Sequence, residues 1–513
     1  MSIQKQKSKK VIPIAAEAPK AKSLYEAQQK VYPRDISGYF KNLRWLTIWI
    51  TQIVFYGTPW LLWNDRQAIL LDISTHRFYI FGLVLYPQDL IYLVVILIVA
   101  ALALFLFTAV AGRLWCGFSC PQSVYTEIFL WMERKIEGDR AARMRLDSMK
   151  FGFKKFHKKF LKHAAWISFS MFTGFTFLGY FSPIRDLLDN VLQYRLSPWE
   201  TFWICFYGFA TYGNAGFLRE QVCKYMCPYA RFQSAMFDND TLIVTYDEQR
   251  GEPRSGRSRK VDAKQEGLGD CIDCSFCVQV CPVGIDIRNG LQYECISCGL
   301  CVDACNSIMD KMEYPRGLIR FSTHNGVEQR WTQKQILQKV FRPRVLIYSG
   351  LLLLICVAFA ASLALRASFK VDVIRDRGVM SRLVAGGKVE NVYRLQITNA
   401  SEHPETYSIS VEGIKGLSIA SEGVFTVGPA ESRMVAISLQ IEDGSIKSGS
   451  HPIEFEIEAA TSKEEISEKS IRDNDLGEFS KSQIYPQKLA HISPQAQRQR
   501  RFVAHLFERK ARA

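Results

Sequence analysis

Histidine is scarce in this chain, and the long apolar stretches carry none in their interior. Only eight of the 513 residues are histidine. A b-type haem inside a membrane needs two histidines that face each other from neighbouring helices, so the sequence argues against a transmembrane haem. The histidines are His76, His157, His163, His324, His403, His451, His491 and His505.

A glycine-rich dinucleotide-binding loop is absent as well. Such a loop follows a strand and lets the backbone approach a pyrophosphate, so NAD or a flavin would have to come from a partner protein. Cysteine is missing after Cys356, which leaves the C-terminal part without disulfides. The formal charge of +15 does not indicate nucleic-acid binding, because the basic residues collect beside the apolar stretches.

Cysteine itself is plentiful, with fourteen residues in all, and eight of them lie in two closely spaced runs. The runs read Cys271-x-x-Cys274-x-x-Cys277-x-x-x-Cys281-Pro282 and Cys295-x-x-Cys298-x-x-Cys301-x-x-x-Cys305-Asn306. This spacing is typical of a two-cluster ferredoxin, in which the fourth cysteine of each run binds the other run's [4Fe–4S] cluster. The expected ligands are Cys271, Cys274, Cys277 and Cys305 for cluster 1, and Cys295, Cys298, Cys301 and Cys281 for cluster 2. A zinc site would use four of these thiolates and leave four idle.

Five apolar stretches predict an integral membrane protein, because each approaches or exceeds the ~20 residues that cross a bilayer as a helix. They are Leu43–Trp63, Asp89–Ala111, Ala164–Phe181, Trp199–Leu218 and Val345–Leu365. The second and fifth are the clearest, and Ile91–Val110 contains no charge. We therefore expect an α-helical bundle of about five spans, built from two transmembrane hairpins (43–111 and 164–218) and a fifth span (345–365).

Lysine and arginine predict the orientation of these spans, since cytoplasmic loops carry the excess of basic residues. The N-terminal arm (1–42), the loop at 112–163 and the segment at 219–344 are basic, so we place them in the cytoplasm, with the part after the fifth span outside. The basic residues behind this prediction are Lys5, Lys7, Lys9, Lys10, Lys20, Lys22, Lys41, Arg44, Arg134, Lys135, Arg140, Arg143, Arg145, Lys150, Lys154, Lys155, Lys158, Lys159, Lys162, Lys224, Arg231, Arg254, Arg257, Arg259 and Lys260.

A second cysteine motif follows the second and the fourth apolar stretch. Its two copies read Arg113-x-x-Cys116-x-x-x-Cys120-Pro121 and Arg219-x-x-x-Cys223-x-x-x-Cys227-Pro228. Repeated units usually pack about a pseudo-symmetry axis, which would bring the four thiols together. On one helix, residues four apart stand ~5–6 Å from each other, which is too far for a disulfide but suits a clamp for Cu(I), Zn or an iron–sulfur cluster. The proline is expected to bend that helix and open the clamp.

A purely structural interpretation of these cysteines stays open, because free cysteine is often a small buried apolar residue. We prefer that interpretation for Cys205 and Cys356, which stand alone inside spans.

The remaining segments predict one inserted domain, one C-terminal domain and a tail. A ferredoxin domain of α+β type is expected at about 262–315, within the cytoplasmic segment. Residues 369–460 alternate apolar and polar side chains between glycine-containing turns, which predicts an all-β, immunoglobulin-like sandwich. Residues 461–513 are polar and then basic, and we expect them to be disordered or to lie on the membrane surface.

The repeated Cys-x-x-x-Cys-Pro motif, the eight-cysteine run and the β-rich C-terminal part together resemble the cytochrome c oxidase accessory proteins of the CcoG/FixG/RdxA type. The resemblance covers the chain except for about the first 35 residues and the tail after about residue 470. The membrane and ferredoxin parts are shared with the membrane ferredoxin subunits of nitrate and nitrous-oxide respiration (the NapH and NosR kinds). The β-rich part and the lack of a flavin-binding outer domain favour the oxidase-accessory branch.

This resemblance implies a cupric reductase in the bacterial inner membrane, with its ferredoxin domain in the cytoplasm and its C-terminal domain in the periplasm. Electrons from a cytoplasmic donor would pass through the two clusters and reduce Cu(II) to Cu(I), held by Cys116, Cys120, Cys223 and Cys227. The expected partners are a copper chaperone or transporter, oxidase assembly factors and a second copy of the chain. Three alternatives stay open: a quinol-linked electron conduit, a non-catalytic assembly scaffold, and a third [4Fe–4S] cluster on the same four thiols.

Overall fold

The computed structural model describes residues 30–259, 265–375, 381–445 and 449–473. The described residues form two compact units, the first from residues 30–57, 98–178 and 190–353, and the second from residues 58–97, 179–189 and 354–473. The predictions for the basic residues before residue 30, for Lys260 and for the tail after residue 473 lie outside the described residues.

Helices dominate the first unit. In chain order, the α-helices are α1 (Tyr39–Gly57), α2 (Leu90–Ala111), α3 (Leu114–Phe118), α4 (Pro121–Glu137), α5 (Arg140–Ser148), α6 (Phe153–Leu178), α7 (Ile184–Leu192), α8 (Pro198–Thr211), α9 (Pro228–Met236), α10 (Glu248–Gly251), α11 (Phe276–Val280), α12 (Leu300–Met312), α13 (His324–Glu328), α14 (Gln333–Gln338) and α15 (Pro343–Ala364). Two π-helical segments, Tyr212–Leu218 and Val222–Met226, follow α8.

Each predicted apolar stretch contains a helix, but the stretches differ in how well they match a span. Among the described residues, only Pro87–Ala111 and Pro343–Ala364 are long and apolar enough to cross a membrane by composition alone. The first stretch is helical only as far as Gly57, because the chain then enters a 3₁₀ turn and a short strand. The third helix begins at Phe153, well before the predicted start at Ala164. The bundle of about five spans therefore stays a prediction.

Large apolar side chains are exposed on the helices of all five stretches. Trp49 on α1 is 60% exposed, Ile91 on α2 is 64%, Phe172 on α6 is 46%, Phe209 on α8 is 73% and Leu354 on α15 is 66%. Water disfavours apolar patches of this extent, so these surfaces suit a lipid environment.

The ferredoxin part is closed by a two-stranded antiparallel sheet that lies outside the predicted range of 262–315. One strand (β6, Ile243–Tyr246) precedes the cysteine runs and the other (β7, Ile319–Ser322) follows them, with Ile243 opposite Ser322. Both strands contribute to the core that surrounds the cysteines. The two ends of the domain are thereby joined.

The second unit contains the predicted immunoglobulin-like sandwich. Its strands are β8 (Phe369–Arg375), β9 (Arg382–Val384), β10 (Lys388–Asn399), β11 (Glu405–Glu412), β12 (Ser418–Ile419), β13 (Val424–Val427), β14 (Ser432–Glu442), β15 (Ser450–Ala459) and β16 (Glu465–Asp473). One sheet has the order β12-β14-β10-β8, with β9 paired to β10, and the other has the order β13-β11-β15-β16. Alternate side chains of both sheets, such as Leu395, Ile437 and Phe455, are buried between them.

Two features of this unit differ from the prediction. The sandwich extends to Asp473, since β16 pairs with β15 along its whole length; the segment was assigned to the polar tail because an edge strand needs few apolar residues. The loop after the first apolar stretch also folds into a hairpin (β1, Leu62–Trp63; β2, Arg66–Gln67) and a three-stranded sheet (β3, Ile69–Asp72; β4, Arg77–Ile80; β5, Leu83–Leu85).

Candidate iron–sulfur and thiol site

The eight cysteines of the ferredoxin runs line two separate cavities. The first is lined by Cys271, Cys274, Cys277 and Cys305. The second is lined by Cys281, Cys295, Cys298 and Cys301, together with Cys277. Each cavity thus receives the first three cysteines of one run and the fourth of the other, which is the crossed pattern of a two-cluster ferredoxin. This geometry supports the predicted ligand assignment.

The two three-cysteine loops turn at equivalent positions. The residue before the second cysteine is left-handed in both runs, with φ of +47° at Asp273 and +51° at Ser297. The residue after it is left-handed too, with φ of +53° at Ser275 and +74° at Gly299. Residues other than glycine adopt this conformation at a cost and keep it where surrounding contacts impose it. The repeated turns bring the three thiols of each run to one cavity.

Burial sets the protonation of these thiols. Removal from water raises the pKa of Cys281 and Cys305 to about 12 and that of Cys277 and Cys295 to about 11, and nearby thiols add to the shift. A thiol loses its proton when it binds a metal, so cluster assembly releases protons here. Two apolar cavities with four soft thiolate donors each fit two [4Fe–4S] clusters.

The first described residues are hydrogen-bonded to the ferredoxin part. The backbone N–H of Arg34 donates to the carbonyl oxygen of Gln279 at 2.7 Å. The carboxylate of Asp303, which lies on α12 between two cysteines, accepts from the backbone N–H groups of Phe40 at 3.2 Å and Lys41 at 2.9 Å. Because free N–H groups at a helix start need acceptors, this carboxylate fixes the first turn of α1 to the cluster-bearing helix.

The helical pairing predicted for the Cys-x-x-x-Cys motifs is wrong. Cys116 lies in α3, but Cys120 is extended (φ −61°, ψ 128°) and precedes Pro121, the first residue of α4. Cys223 lies in a π-helical segment, and Cys227 (φ −81°, ψ 110°) precedes the first proline of α9. Proline is favoured at the first position of a helix and disfavours a helical residue before it, so each proline starts a new helix instead of bending an existing one.

The four thiols of the two motifs are close enough to influence each other. Burial, followed by the neighbouring Cys120, raises the pKa of Cys116 to about 12, and Cys223 adds to the shift. Burial, followed by Cys120 and Cys227, raises the pKa of Cys223 to about 11. This mutual effect supports the predicted convergence of the two repeats. Within the described ranges, however, no three side chains of His, Cys, Asp or Glu are grouped so as to hold a single metal ion.

The first motif touches the second cavity. Cys116 packs against the apolar cluster that contains Cys298, and Cys281 and Cys295 pack against the same cluster. Gly117, between the motif's two cysteines, lies against the loop of the second ferredoxin run. A Cβ added to it would stand 2.6 Å from the carbonyl oxygen of Ile296 and 2.9 Å from the Cα of Cys298. The first motif and the second ferredoxin cavity are therefore neighbours.

A buried arginine acts electrostatically on thiols of both the repeated motif and the second cavity. Arg113 is 2% exposed, its guanidinium donates to the carbonyl oxygen of Ala230, and its charge lowers the pKa of Cys116, Cys223 and Cys295 against the effect of burial. Arg113 was visible in the sequence only as the first residue of the repeated motif. Gly117, Asp303 and Gln233, which accepts from the Cys116 thiol at 3.4 Å, gave no sequence signal, because their roles arise from contacts between distant segments.

Three family models match the chain. A 4Fe-4S binding domain matches residues 93–138, which include Cys116 and Cys120. A 4Fe-4S dicluster domain matches residues 218–324, which include Cys223, Cys227 and the two ferredoxin runs. The IG-like fold at the C-terminal of FixG matches residues 359–471.

Curated relatives extend this likeness over most of the chain. The nitrogen fixation protein FixG of Rhizobium meliloti is 36% identical over 448 residues, which cover 81% of this chain and 85% of that protein. Protein RdxA of Cereibacter sphaeroides is 39% identical over 410 residues, which cover 78% and 86%. A crystal structure of a FixG-related protein from Vibrio parahaemolyticus is 24% identical and covers 22% of this chain and 100% of that one, with a TM-score of 0.20. Identity at this level over four fifths of the chain, together with the matched iron–sulfur domains, makes this chain an iron–sulfur electron-transfer protein that belongs to the FixG/RdxA family.

Proposed function

We propose that this protein is a multi-pass membrane reductase that transfers electrons from a cytoplasmic donor to Cu(II) at the four thiols of the repeated motif. The observation that carries the proposal is the position of the first motif: Cys116 packs against the apolar cluster that includes Cys298, and Gly117 lies against the backbone of Cys298. A substrate held at the four-thiol site would be next to a redox centre. The clusters supply one-electron transfer when bound.

The exposure of the cysteines suggests the direction of transfer. Cys274 in the first cavity is exposed, whereas the four cysteines of the second cavity are buried or half-buried. A partner that docks on the ferredoxin part would therefore reach the first cavity more easily. The second cavity lies beside the first Cys-x-x-x-Cys motif instead. Electrons would therefore enter at the first cavity and leave at the second.

Copper suits the donor set of the four thiols. Thiolates favour Cu(I) over harder ions, so binding to Cys116, Cys120, Cys223 and Cys227 would favour the reduced product. Copper must displace the thiol protons, which burial holds tightly on Cys116 and Cys223. Since the described side chains form no ready single-ion site, binding would draw the thiols closer together.

A third [4Fe–4S] cluster is the second candidate for this site. The 4Fe-4S binding domain matched at residues 93–138 contains the first motif. A cubane also holds its thiolates at separate corners rather than around one ion, which agrees with the spread of the four thiols.

Metal content and copper turnover separate the two candidates. The purified protein is assayed for iron and for anaerobic Cu(II) reduction with a Cu(I)-specific chelator, beside the variant C116A/C120A/C223A/C227A and the control C205A/C356A. The copper proposal expects about eight irons per chain in all three proteins and turnover lost only in the four-thiol variant. A fall from about twelve irons to about eight in that variant would establish the third cluster. Turnover that survives loss of the four thiols would overturn the copper site.

A further inference from the structure

A large apolar cavity lies in the first unit, apart from the cysteines. It is an open cavity with a volume of about 670 Å³, lined by residues of α1, α4 and α6 and by Asp35. That volume is in the range of pockets that bind organic ligands of cofactor size. Its walls are mainly aromatic and aliphatic, and its charged residues are Asp35, Lys41 and Arg134.

One polar atom in this cavity lacks a partner. The side-chain oxygen of Gln52 is buried and has no hydrogen-bond partner among the described residues. A buried acceptor without a partner has lost its hydrogen bonds to water and gained none in return, so a ligand that donates a hydrogen bond here would be favoured. Tyr56, one helical turn further on, also lines the cavity, and its hydroxyl is hydrogen-bonded to Thr173 at 2.7 Å.

Flat aromatic surfaces lie at this end of the cavity. The rings of Tyr56 and Phe172 are stacked, with centroids 4.9 Å apart and an interplanar angle of 14°. Trp49 lines the same cavity and is 60% exposed on the outer face of α1. A ring-shaped head group would find stacking surfaces inside, and an apolar chain could leave across the exposed face.

The charged end of the cavity disfavours an anionic lipid head group. Lys41 and Arg134 are already paired with Glu127, at 2.7 Å and 3.2 Å, and with Asp35, at 3.2 Å and 3.5 Å. A phosphate would have to compete for these cations. The phosphate diester itself has only acceptor atoms, so it could not pair with the Gln52 oxygen.

The cavity helix contacts both redox segments. Lys41 is bonded through its backbone to Asp303 on the cluster-bearing helix, and the Thr47 hydroxyl donates to the carbonyl oxygen of Phe118 at 3.0 Å, between the first two thiols. A redox-active ligand in this cavity would be held beside the electron-transfer groups, whereas a structural lipid has no need of that position.

We propose that this cavity binds the ring of an isoprenoid quinol, with one ring hydroxyl donating to the side-chain oxygen of Gln52. The proposal concerns a binding site and goes beyond the proposed copper chemistry. Its test contains no copper, so the two proposals succeed or fail separately.

Binding is measured anaerobically in nanodiscs with decyl-ubiquinol and decyl-ubiquinone, by quenching of tryptophan fluorescence. The unpaired acceptor predicts saturable binding with a preference for the quinol of at least fivefold, because the quinone lacks a hydroxyl donor. Gln52→Leu should abolish the preference and weaken quinol binding about tenfold.

The matched control is Thr51→Val, which removes a polar group from the same helix. The Thr51 hydroxyl bonds only to carbonyl oxygens of its own helix, so this variant should bind like the wild type. Iron content confirms that each variant is folded, and Gln52→Met is used if the leucine variant loses iron. Equal quinol affinity in wild type and Gln52→Leu, non-saturable uptake, or displacement of the quinol by phosphatidylglycerol would overturn the site.

Discussion

Gly117 lies against the backbone of Cys298, so the first thiol motif and the loop of the second cavity are in direct contact. An alanine at position 117 would place its Cβ 2.9 Å from the Cα of Cys298 and 2.6 Å from the carbonyl oxygen of Ile296. Neither is the end of a flexible side chain, so the two segments must move apart. The route proposed for electrons crosses this contact.

Gly117→Ala is therefore expected to destabilise the protein by about 1–3 kcal/mol, as overpacking does, and to slow Cu(II) reduction more than it lowers iron content. The measurements are thermal unfolding in detergent, iron content and copper turnover. Gly152→Ala is the control, since no atom lies within 4 Å of the added Cβ. Wild-type turnover in Gly117→Ala would show that this contact does not matter for transfer.

Arg113 should raise the reduction potential of the cluster in the second cavity. A buried positive charge favours the reduced, more negative state of a cluster, so Arg113→Gln is expected to lower the reduction potential of cluster 2 by roughly tens of millivolts. Cluster 1 has its own arginine, Arg288, whose charge lowers the pKa of Cys277, and should keep its potential. Redox titration followed by electron paramagnetic resonance measures both.

Arg113→Lys serves as the control for this prediction, because it retains the positive charge. Equal shifts of both clusters in Arg113→Gln would indicate a general disturbance of the fold, and an unchanged cluster 2 would contradict the role given to the arginine.

The crossed ligand pattern predicts which cluster each fourth cysteine serves. Cys281→Ala should remove the cluster that Cys295, Cys298 and Cys301 hold, although Cys281 is the last cysteine of the other run. We expect the iron content to fall by about four atoms and the remaining cluster to be the one whose potential is insensitive to Arg113→Gln. Cys205→Ala should lose no iron. A surviving cluster that responds to Arg113→Gln would mean that the fourth cysteines are not exchanged.

Glu127 should make the free energy of unfolding depend on pH, with a contribution that is lost in acid. Burial alone would raise its pKa, but Arg44, Lys41 and Arg134 together lower it to about 2. A carboxylate whose pKa is depressed on folding stabilises the protein above its unfolded pKa, near 4.3, and this contribution is lost as the pH falls from there towards 2.

Glu127→Gln removes the carboxylate that Arg44 faces and leaves Lys41 and Arg134 paired with Asp35 alone, which should cost about 3–5 kcal/mol at neutral pH and flatten the acid limb of the stability profile. Thermal unfolding from pH 7 to pH 3 measures both effects. Glu458→Gln, on the exposed face of β15, should behave like the wild type. A Glu127→Gln variant of wild-type stability at pH 7 would contradict the structural role of this cluster.

The sequence predicted the features that depend on local spacing. The alternation of side chains in residues 369–460 predicted the sandwich, and the family model for residues 359–471 confirms it. The cysteine spacing predicted two groups of four thiols, and the two cavities have those members. Both patterns arise from neighbours along the chain, so periodicity reveals them.

The sequence predictions failed where proline begins a new helix and where contacts join distant segments. Spacing by four suggested one helix through each Cys-x-x-x-Cys motif, but Pro121 and Pro228 each begin a new helix. The strand Glu465–Asp473 carries the polar side chains of an edge strand, so composition hid it. The contact of Gly117 with Cys298 and the capping of α1 by Asp303 join segments more than 180 residues apart, and no sequence period records them.

The most direct test of the central claim is a single turnover of the pre-reduced protein. The protein is reduced with dithionite under argon, desalted and mixed with Cu(II) and a Cu(I)-specific chelator, while the iron–sulfur absorbance is followed. The account predicts about two Cu(I) per chain, one for each cluster, formed in step with cluster re-oxidation in the wild type and in C205A/C356A, but not in C116A/C120A/C223A/C227A. Re-oxidation at the same rate in all three proteins would contradict it.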